Sequence, residues 1–266
     1  MACSTDRERS VEGTWNVSLL ADKPVEGASI GHWCKYDSFY GRQCVLLLQA
    51  LYAQELARPG LVWSLVSAAC RESLAIGLQR DCSKNLSLSA AERRDREAAF
   101  WQVYILDRKL GLNFGKACSI PEYEIDVPLP TYSGSTWVPG IIACVKLSEI
   151  QGRIYESLYS PKGLRKPVAE YRSTIDILDQ DLRLWWTQYG QHAFDGCPSS
   201  TYSQTEYVKL ELTFNYHATL VMLHRMDQSQ QNVSLVAVQE ARKGIGSIRS
   251  AVQSVPRLAQ SMLVLW

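Results

Sequence analysis

The sequence REAAFWQVYILDRKLGLNFGKACSIPEYEIDVPLP, residues 96–130, contains the two patterns that decide how this chain folds. In its first part, residues 98–106 are almost wholly apolar. A helix that is apolar around its circumference must be covered on more than one side, so this pattern predicts a helix at the centre of a bundle. In its second part, three prolines exclude a regular helix. We predict that residues 119–130 run extended across the surface.

Both ends of the central helix are marked in the sequence. Ser89 stands three residues before Glu92, the spacing of a capping box, in which each side chain bonds the other residue's backbone amide. Gly115 is predicted to end the helix and, like the prolines after it, is interpreted as a backbone device. Asp107 and Arg108 close the apolar part. Because an unpaired buried charge is very costly, we predict that both form ion pairs, with ligand contact as the alternative.

Helical periodicity continues on both sides of this stretch. Upstream, two segments with apolar residues at helical spacing are separated only by Pro59-Gly60, which predicts an antiparallel pair of helices. Downstream, the sequence predicts four more helices, the third at about Glu206 to Met226. Their apolar positions are Leu147, Ile150, Ile154 and Leu158; Val168, Tyr171, Ile175, Leu178, Leu182 and Trp185; Leu212, Tyr216, Leu220 and Leu223; and Ala241, Ile245, Ile248, Val252 and Val255.

The chain contains no sustained alternation of apolar and polar residues, the pattern that indicates strands. We therefore predict an all-α fold, a bundle of about seven to eight helices. The periodic pattern places this bundle in residues 41–266, after an irregular lead-in at residues 1–40.

Composition and charge exclude several classes of protein. The formal net charge is +1 and no window carries a dense block of lysine and arginine, so we expect no direct binding of DNA by these residues. The chain shows no signal-peptide pattern and no apolar run long enough to cross a membrane, so we expect no membrane partner. Its eight cysteines are spread evenly, which is typical of a reduced, intracellular protein.

The stretch at residues 96–130 resembles the signature of the fungal transcription factor middle-homology domain, the regulatory region of zinc-cluster regulators. In that family, an aromatic helix with a Tyr-x-Leu-Asp-Arg run leads through a glycine turn to an Ile-Asp-x-Pro-Leu-Pro segment, and a later helix ends in Leu-His-Arg-Pro. The resemblance covers roughly residues 42–226. The signature residues, structural or regulatory in role, are Trp101, Tyr104, Asp107, Arg108, Gly115, Pro121, Asp126, Pro128, Pro130, His224 and Arg225.

The resemblance implies a transcriptional regulator in the nucleus rather than an enzyme. It implies action through protein partners, such as an intact homologous regulator or a second copy of the chain, with a small-molecule effector between helices as a further expectation. The sequence contains no Cys-x-x-Cys pair, so the zinc of the family's DNA-reading module cannot be carried over. We expect no cofactor in this chain and contact with DNA only through a partner.

Three positions depart from the family pattern. Lys116-Ala117 stands where the family has Arg-Pro, and Met226 stands where it has Pro. The sequence ends at Val264–Trp266 without a polar tail, which favours a C-terminal truncation relative to longer members.

An alternative hypothesis is an all-α enzyme of isoprenoid type, in which Asp176, Asp179 and Asp181 would bind magnesium. All three lie outside the apolar heptad positions of their predicted helix. Asp179 also stands four residues before Arg183, the favourable order for a pair on a helix surface. These observations favour a solvated helix face over a metal site.

A further alternative is a plain helical scaffold unrelated to transcription, and two other sequence patterns bear on function. Residues 27–31 have the Gly-x-Ser-x-Gly form of a hydrolase nucleophile elbow, but they lack the preceding strand that this motif requires. His217 and His224 share one helix face, roughly 10 Å apart along the axis. That separation is too large for both to bind one zinc ion directly, so we predict polar core or groove residues.

Overall fold

The computed structural model describes residues 49–50, 53, 58–83, 85, 87–131, 138–193, 202–226 and 234–254. These residues form an all-α fold without a strand, as the sequence predicts. The helices among them are α1 (Pro59–Ala75), α2 (Ala90–Phe114), α3 (Val138–Ile154), α4 (Val168–Trp185), α5 (Tyr202–His224) and α6 (Leu235–Ser254).

Short turns extend or connect these helices. One-turn π-helices prolong α3 at Tyr155–Tyr159 and α4 at Trp186–Gly190. The first predicted helix is described only at residues 49, 50 and 53, which are helical. The lead-in and the Gly-x-Ser-x-Gly pattern lie outside the described residues. Within the described part, every helix is too short or too polar to span a membrane.

The ends of α2 are formed as predicted. The Glu92 amide donates to Oγ of Ser89 over 3.2 Å, and the Ser89 amide donates to Oε2 of Glu92 over 2.7 Å. At the other end, Gly115 adopts φ 62°, the left-handed conformation that glycine reaches without steric cost. The chain therefore leaves α2 sharply and turns back along it.

Two apolar clusters form the core, and α2 and α3 contribute to both. The first cluster joins α1, α2 and residues of the segment after α2, and it includes the fully buried Phe100 and Tyr104. The second joins α3, α4 and α5. Leu112 of α2 belongs to the second cluster, whereas Val145 of α3 belongs to the first. The predicted central position of α2 is therefore confirmed.

Two residues predicted to lie in the core are exposed. Val168 is 64% exposed because the buried seam of α4 begins only with Tyr171, one turn later. Ile245 is 61% exposed. The buried face of α6 instead carries Ala237, Glu240 and Gly244, so Ile245 lies about 100° around the helix from that face.

The segment after α2 does more than cross the surface, so the prediction for residues 119–130 is wrong in part. Ile120 and Val127 are buried in the first apolar cluster. The segment is largely extended, but Glu122–Glu124 forms a single 3₁₀ turn. The amides of Asp126 and Val127 both donate to the carbonyl oxygen of Gln79 over 3.1 Å. A segment without helical hydrogen bonds thus satisfies its backbone by bonding the end of the α1 region.

Candidate functional site

Four signature residues of α2 face the segment at residues 119–130, and together with that segment they form what we term the signature cluster. Trp101, Tyr104, Asp107 and Arg108 are each at most 5% exposed. Their spacing of three to four residues places them on one side of a helix. The helical part of the sequence signature and its proline-rich part are thus in direct contact in the folded chain.

Asp107 anchors the start of the segment through backbone amides. The Ser119 amide lies 2.9 Å from each carboxylate oxygen, and the Ile120 amide donates to Oδ2 over 3.1 Å. These amides would otherwise lack partners, because the chain there is not helical. A buried carboxylate that accepts charge-assisted bonds from two amides fixes the path of the chain.

Arg108 reaches the same segment from the next position of the helix. One Nη donates to the carbonyl oxygen of Ile120 over 2.8 Å and to Oε2 of Glu122 over 2.9 Å. The other lies 3.4 Å from Oδ2 of Asp107. The prediction that both charges are paired is therefore confirmed. Because Arg108 is 3% exposed whereas the Glu122 side chain is 59% exposed, the ion pair runs from the core to the surface.

Tyr104 completes the surroundings of the arginine. The guanidinium carbon lies 4.7 Å from the centre of the Tyr104 ring, within the range of a cation–π contact. The hydroxyl donates to Oε2 of Glu122 over 3.1 Å. Burial raises the pKa of Tyr104, and the charge of Arg108 opposes that rise only in part. The phenol therefore remains a hydrogen-bond donor at neutral pH.

Two free cysteines border the buried charges. Burial raises the pKa of the Cys70 thiol, and the negative charge of Asp107 raises it further. Burial also raises the pKa of Cys118, which Arg108 partly offsets. Because the thiolate is the reactive form, both groups are poor nucleophiles at neutral pH.

The far end of the segment is fixed by separate contacts. The indole Nε1 of Trp101 donates to the carbonyl oxygen of Pro128 over 3.0 Å. Oδ1 of Asp126 accepts from the Asp81 amide over 2.8 Å. Among the other signature prolines, Pro121 precedes the 3₁₀ turn and Pro130 is buried.

The structure places the last two signature residues away from this cluster. Nε2 of His224 lies 2.7 Å from Oδ1 of Asp179 on α4. The guanidinium carbon of Arg225 lies 5.8 Å from the centre of the Tyr159 ring. They help to join α5 to its neighbours, while the α2 residues hold the segment at residues 119–130.

Asp179 is the centre of a polar contact between α4 and α5. It also accepts from Nε of Arg183 over 2.6 Å and from Nη2 of the same residue over 3.0 Å. Burial alone would raise the pKa of Asp179, but the hydrogen bonds from His224 and Arg183 outweigh it and lower the pKa to about 2. The carboxylate therefore stays charged throughout the neutral range.

A second polar contact joins α5 to α6. Nδ1 of His217 lies 2.7 Å from Oε2 of Glu240, which is only 4% exposed. Lys243 donates to the other oxygen of Glu240 over 2.8 Å. Burial would raise the pKa of Glu240, but the bonds from Lys243 and His217 lower it below its usual value. The pair of Glu240 and Lys243 is local, three residues apart on α6, whereas His217 on α5 is 23 residues away along the chain.

The three aspartates of α4 do not form a shared metal site. Asp181 pairs with Arg153 over 2.7 Å, and Asp176 lies 3.9 Å from Arg172. Asp179, as described above, pairs with Arg183 and His224. Among the described residues, no group of three His, Cys, Asp or Glu side chains is placed to hold a metal ion. The described contacts thus give no support to the hypothesis of a magnesium site on α4, whereas the predicted surface pair of Asp179 and Arg183 is present.

This fold and this cluster define a class of protein. The sequence profile of the fungal specific transcription factor domain matches residues 42–187, more than half of the chain. The chain therefore belongs to the fungal specific transcription factor domain family. The match contains the whole signature cluster and ends in the π-turn after α4, so α5 and α6 lie beyond it.

Several curated relatives are transcriptional regulators. The chain is 25% identical over 243 residues to an uncharacterized transcriptional regulatory protein of Schizosaccharomyces pombe, an alignment covering 83% of this chain and 37% of the relative. It is 28% identical to the ABC-transporter-regulating transcription factor of Aspergillus oryzae, covering 68% and 22%. It is 22% identical to the lactose regulatory protein of Kluyveromyces lactis, covering 67% and 20%.

These alignments span about two fifths or less of each relative's length. No solved structure matches the chain. Membership of the family and the relatives together assign the chain a role in the regulation of transcription.

Proposed function

We propose that this chain is a regulatory domain that controls a transcriptional regulator through protein contacts and catalyses no reaction of its own. The observation that carries this proposal is the family match over residues 42–187, which includes both α2 and the segment that α2 binds. The named relatives act in transcription, and none of the relatives cited above bears an enzyme name.

The contacts of the signature cluster support this proposal. Asp107 and Arg108 form hydrogen bonds with the backbone of residues 119–120 and with Glu122. Groups engaged in this way position a chain segment rather than face a substrate. Regulation then depends on the surface that the fixed segment presents, and the signature residues act as positioning residues for that surface.

The location and the partners of this domain are part of the same proposal. We place the domain in the nucleus, where its partners are an intact homologous regulator or a second copy of the chain. Contact with DNA runs through such a partner, since the chain carries a formal net charge of only +1. A small-molecule effector between helices is compatible with this mode of action, which requires no metal or cofactor in the chain.

A fusion experiment tests the proposal. The chain is placed between a heterologous DNA-binding domain and an activation domain, and transcription of a reporter gene is measured in a fungal host. We expect the chain to change reporter output several-fold relative to an inert helical spacer of equal length. Asp107→Asn should reduce this effect, because it loosens the segment, whereas Asp176→Asn on the exposed face of α4 should preserve it.

The fusion must be present at equal amounts in each strain, which immunoblotting checks. Equal reporter output from the chain and from the inert spacer would refute the proposal. So would full regulation by Asp107→Asn, because the signature cluster would then play no part in it.

A further inference from the structure

Tyr123 differs from the other tyrosines of the described structure in its exposure. It is 85% exposed, at the middle of the 3₁₀ turn Glu122–Glu124. The remaining tyrosines whose side chains are described are buried or half-buried, namely Tyr104, Tyr155, Tyr159, Tyr171, Tyr189 and Tyr216. An aromatic side chain in this position contributes little to the core and is accessible to other molecules.

The turn that carries Tyr123 is held on both sides. Glu122 accepts from Arg108 and from Tyr104, which fastens the turn to α2. Glu124 pairs with Arg80 over 2.5 Å, which fastens it to the chain after α1. The two carboxylates beside Tyr123 are therefore engaged within the molecule, while the phenol between them is accessible to solvent.

We propose that Tyr123 is a phosphorylation site for an ATP-dependent protein kinase that acts on tyrosine. In this reaction the Tyr123 Oη forms a bond to the γ-phosphorus of ATP, and the bond from that phosphorus to the β,γ-bridging oxygen breaks. ADP leaves, and the phenolic proton passes to a base of the kinase. The exposure of the Tyr123 side chain on this turn leaves the phenol accessible to such an enzyme.

The position of the phosphate determines its effect on the chain. It adds a charge of about −1.5 to −2 at neutral pH, directly between two glutamates. Like charges on neighbouring residues repel, and we expect the phosphate to compete with Glu124 for Arg80, whose side chain is 54% exposed. Arg108 is 3% exposed and cannot follow. Phosphorylation therefore weakens both fastenings of the turn and loosens residues 119–130 from α2.

A labelling experiment tests the site itself. The folded chain is incubated with ATP and a broad-specificity tyrosine kinase, and the phosphorylated positions are identified by mass spectrometry of its peptides. We expect phosphate on Tyr123, and loss of that label in Tyr123→Phe. The matched variant Tyr189→Phe, at a half-buried position, should leave the label on Tyr123 unchanged. Absence of phosphate on Tyr123, with or without label elsewhere, overturns the proposal.

Amide hydrogen exchange tests the consequence. The Ser119 and Ile120 amides, which donate to Asp107, should exchange about fivefold faster in the phosphorylated chain. The repulsion between two charges near a protein surface is large enough to cause a change of that order. Unphosphorylated Tyr123→Phe should exchange at the wild-type rate, and treatment with phosphatase should restore that rate. Equal exchange in both forms would show that the phosphate does not act on the signature cluster and would overturn this part of the proposal.

Any effect of this modification on transcription rests on the proposed function. Labelling and exchange are both measured on the isolated chain. Their failure is therefore distinguishable from failure of the reporter experiment.

Discussion

Gly152 on α3 lies directly against the side chain of Arg108 on α2. A β-carbon at position 152 would be 3.0 Å from Cδ of Arg108 and 3.2 Å from its Nε. The missing side chain thus leaves the space through which Arg108 extends to Ile120 and Glu122. The packing of α3 on α2 and the fixing of the segment after α2 therefore depend on the same arginine.

Gly152→Ala should destabilise the domain. Arg108 cannot move away freely because its guanidinium is bonded at several points, so the added methyl group costs about 1–2 kcal/mol of unfolding free energy, measured by urea titration. Gly246→Ala is the matched control, since a β-carbon there meets nothing within 4 Å on the same kind of helical backbone. It should be neutral or stabilising by up to about 1 kcal/mol. Equal effects of the two variants would contradict the role given to Gly152.

Asp107→Asn should cost about 2–4 kcal/mol of unfolding free energy, again measured by urea titration. Both carboxylate oxygens of Asp107 face the Ser119 amide at 2.9 Å, so an amide side chain sets a donor against that donor and removes a charge beside Arg108. Asp176→Asn removes a carboxylate that is 62% exposed and should change stability by less than about 0.5 kcal/mol. A loss below 1 kcal/mol for Asp107→Asn would argue against a buried, bonded carboxylate.

Asp179→Asn should change how stability depends on pH. Because the pKa of Asp179 in the folded chain is about 2, below that of an unfolded aspartate, its contribution is complete above about pH 4. It is lost as pH falls from about 4 through 2. Thermal unfolding of wild type and variant should therefore differ at pH 7 and converge towards pH 2. A difference that stays constant over this range would disprove the assignment, and Asp176→Asn serves as the control.

Trp101→Phe should release the far end of the segment. The variant removes the only hydrogen bond found between the Trp101 indole and the described residues, the one to the Pro128 carbonyl oxygen, and leaves space beside Phe100 and Tyr104. We expect a loss of about 1–3 kcal/mol of unfolding free energy. Leu184→Ala, at a side chain that is 54% exposed, should have little effect. Wild-type stability of Trp101→Phe would show that this bond is dispensable.

Much of the fold could be read from the sequence because local chemistry sets it. The capping box at Ser89 and the glycine at position 115 fix the ends of α2 through contacts within a few residues. The predictions for Val168 and Ile245 failed for a different reason. Periodicity shows which residues share a helix face, but how much of that face is covered depends on the length and position of the neighbouring helices.

In the candidate site, too, local features could be predicted from the sequence, whereas contacts between distant residues could not. That Asp107 and Arg108 are paired could be predicted, because two buried charges cannot remain alone. Their main partners, the backbone of residues 119–120 and Glu122, follow only from the return of the chain along α2. The partly buried contact between His217 and Glu240 could not be predicted from the sequence, since it joins two helices across 23 residues.

By itself, the sequence determined the helical class, the central place of α2 and membership of a family, all of which rest on residue types at fixed short spacings. Only the tertiary structure decided which charges meet, that residues 119–130 are partly buried, and that the three aspartates of α4 take separate partners. The physical reason is the separation along the chain over which each kind of interaction acts. Helix formation and capping act over a few residues, whereas ion pairing and burial act between residues that the folded chain brings together.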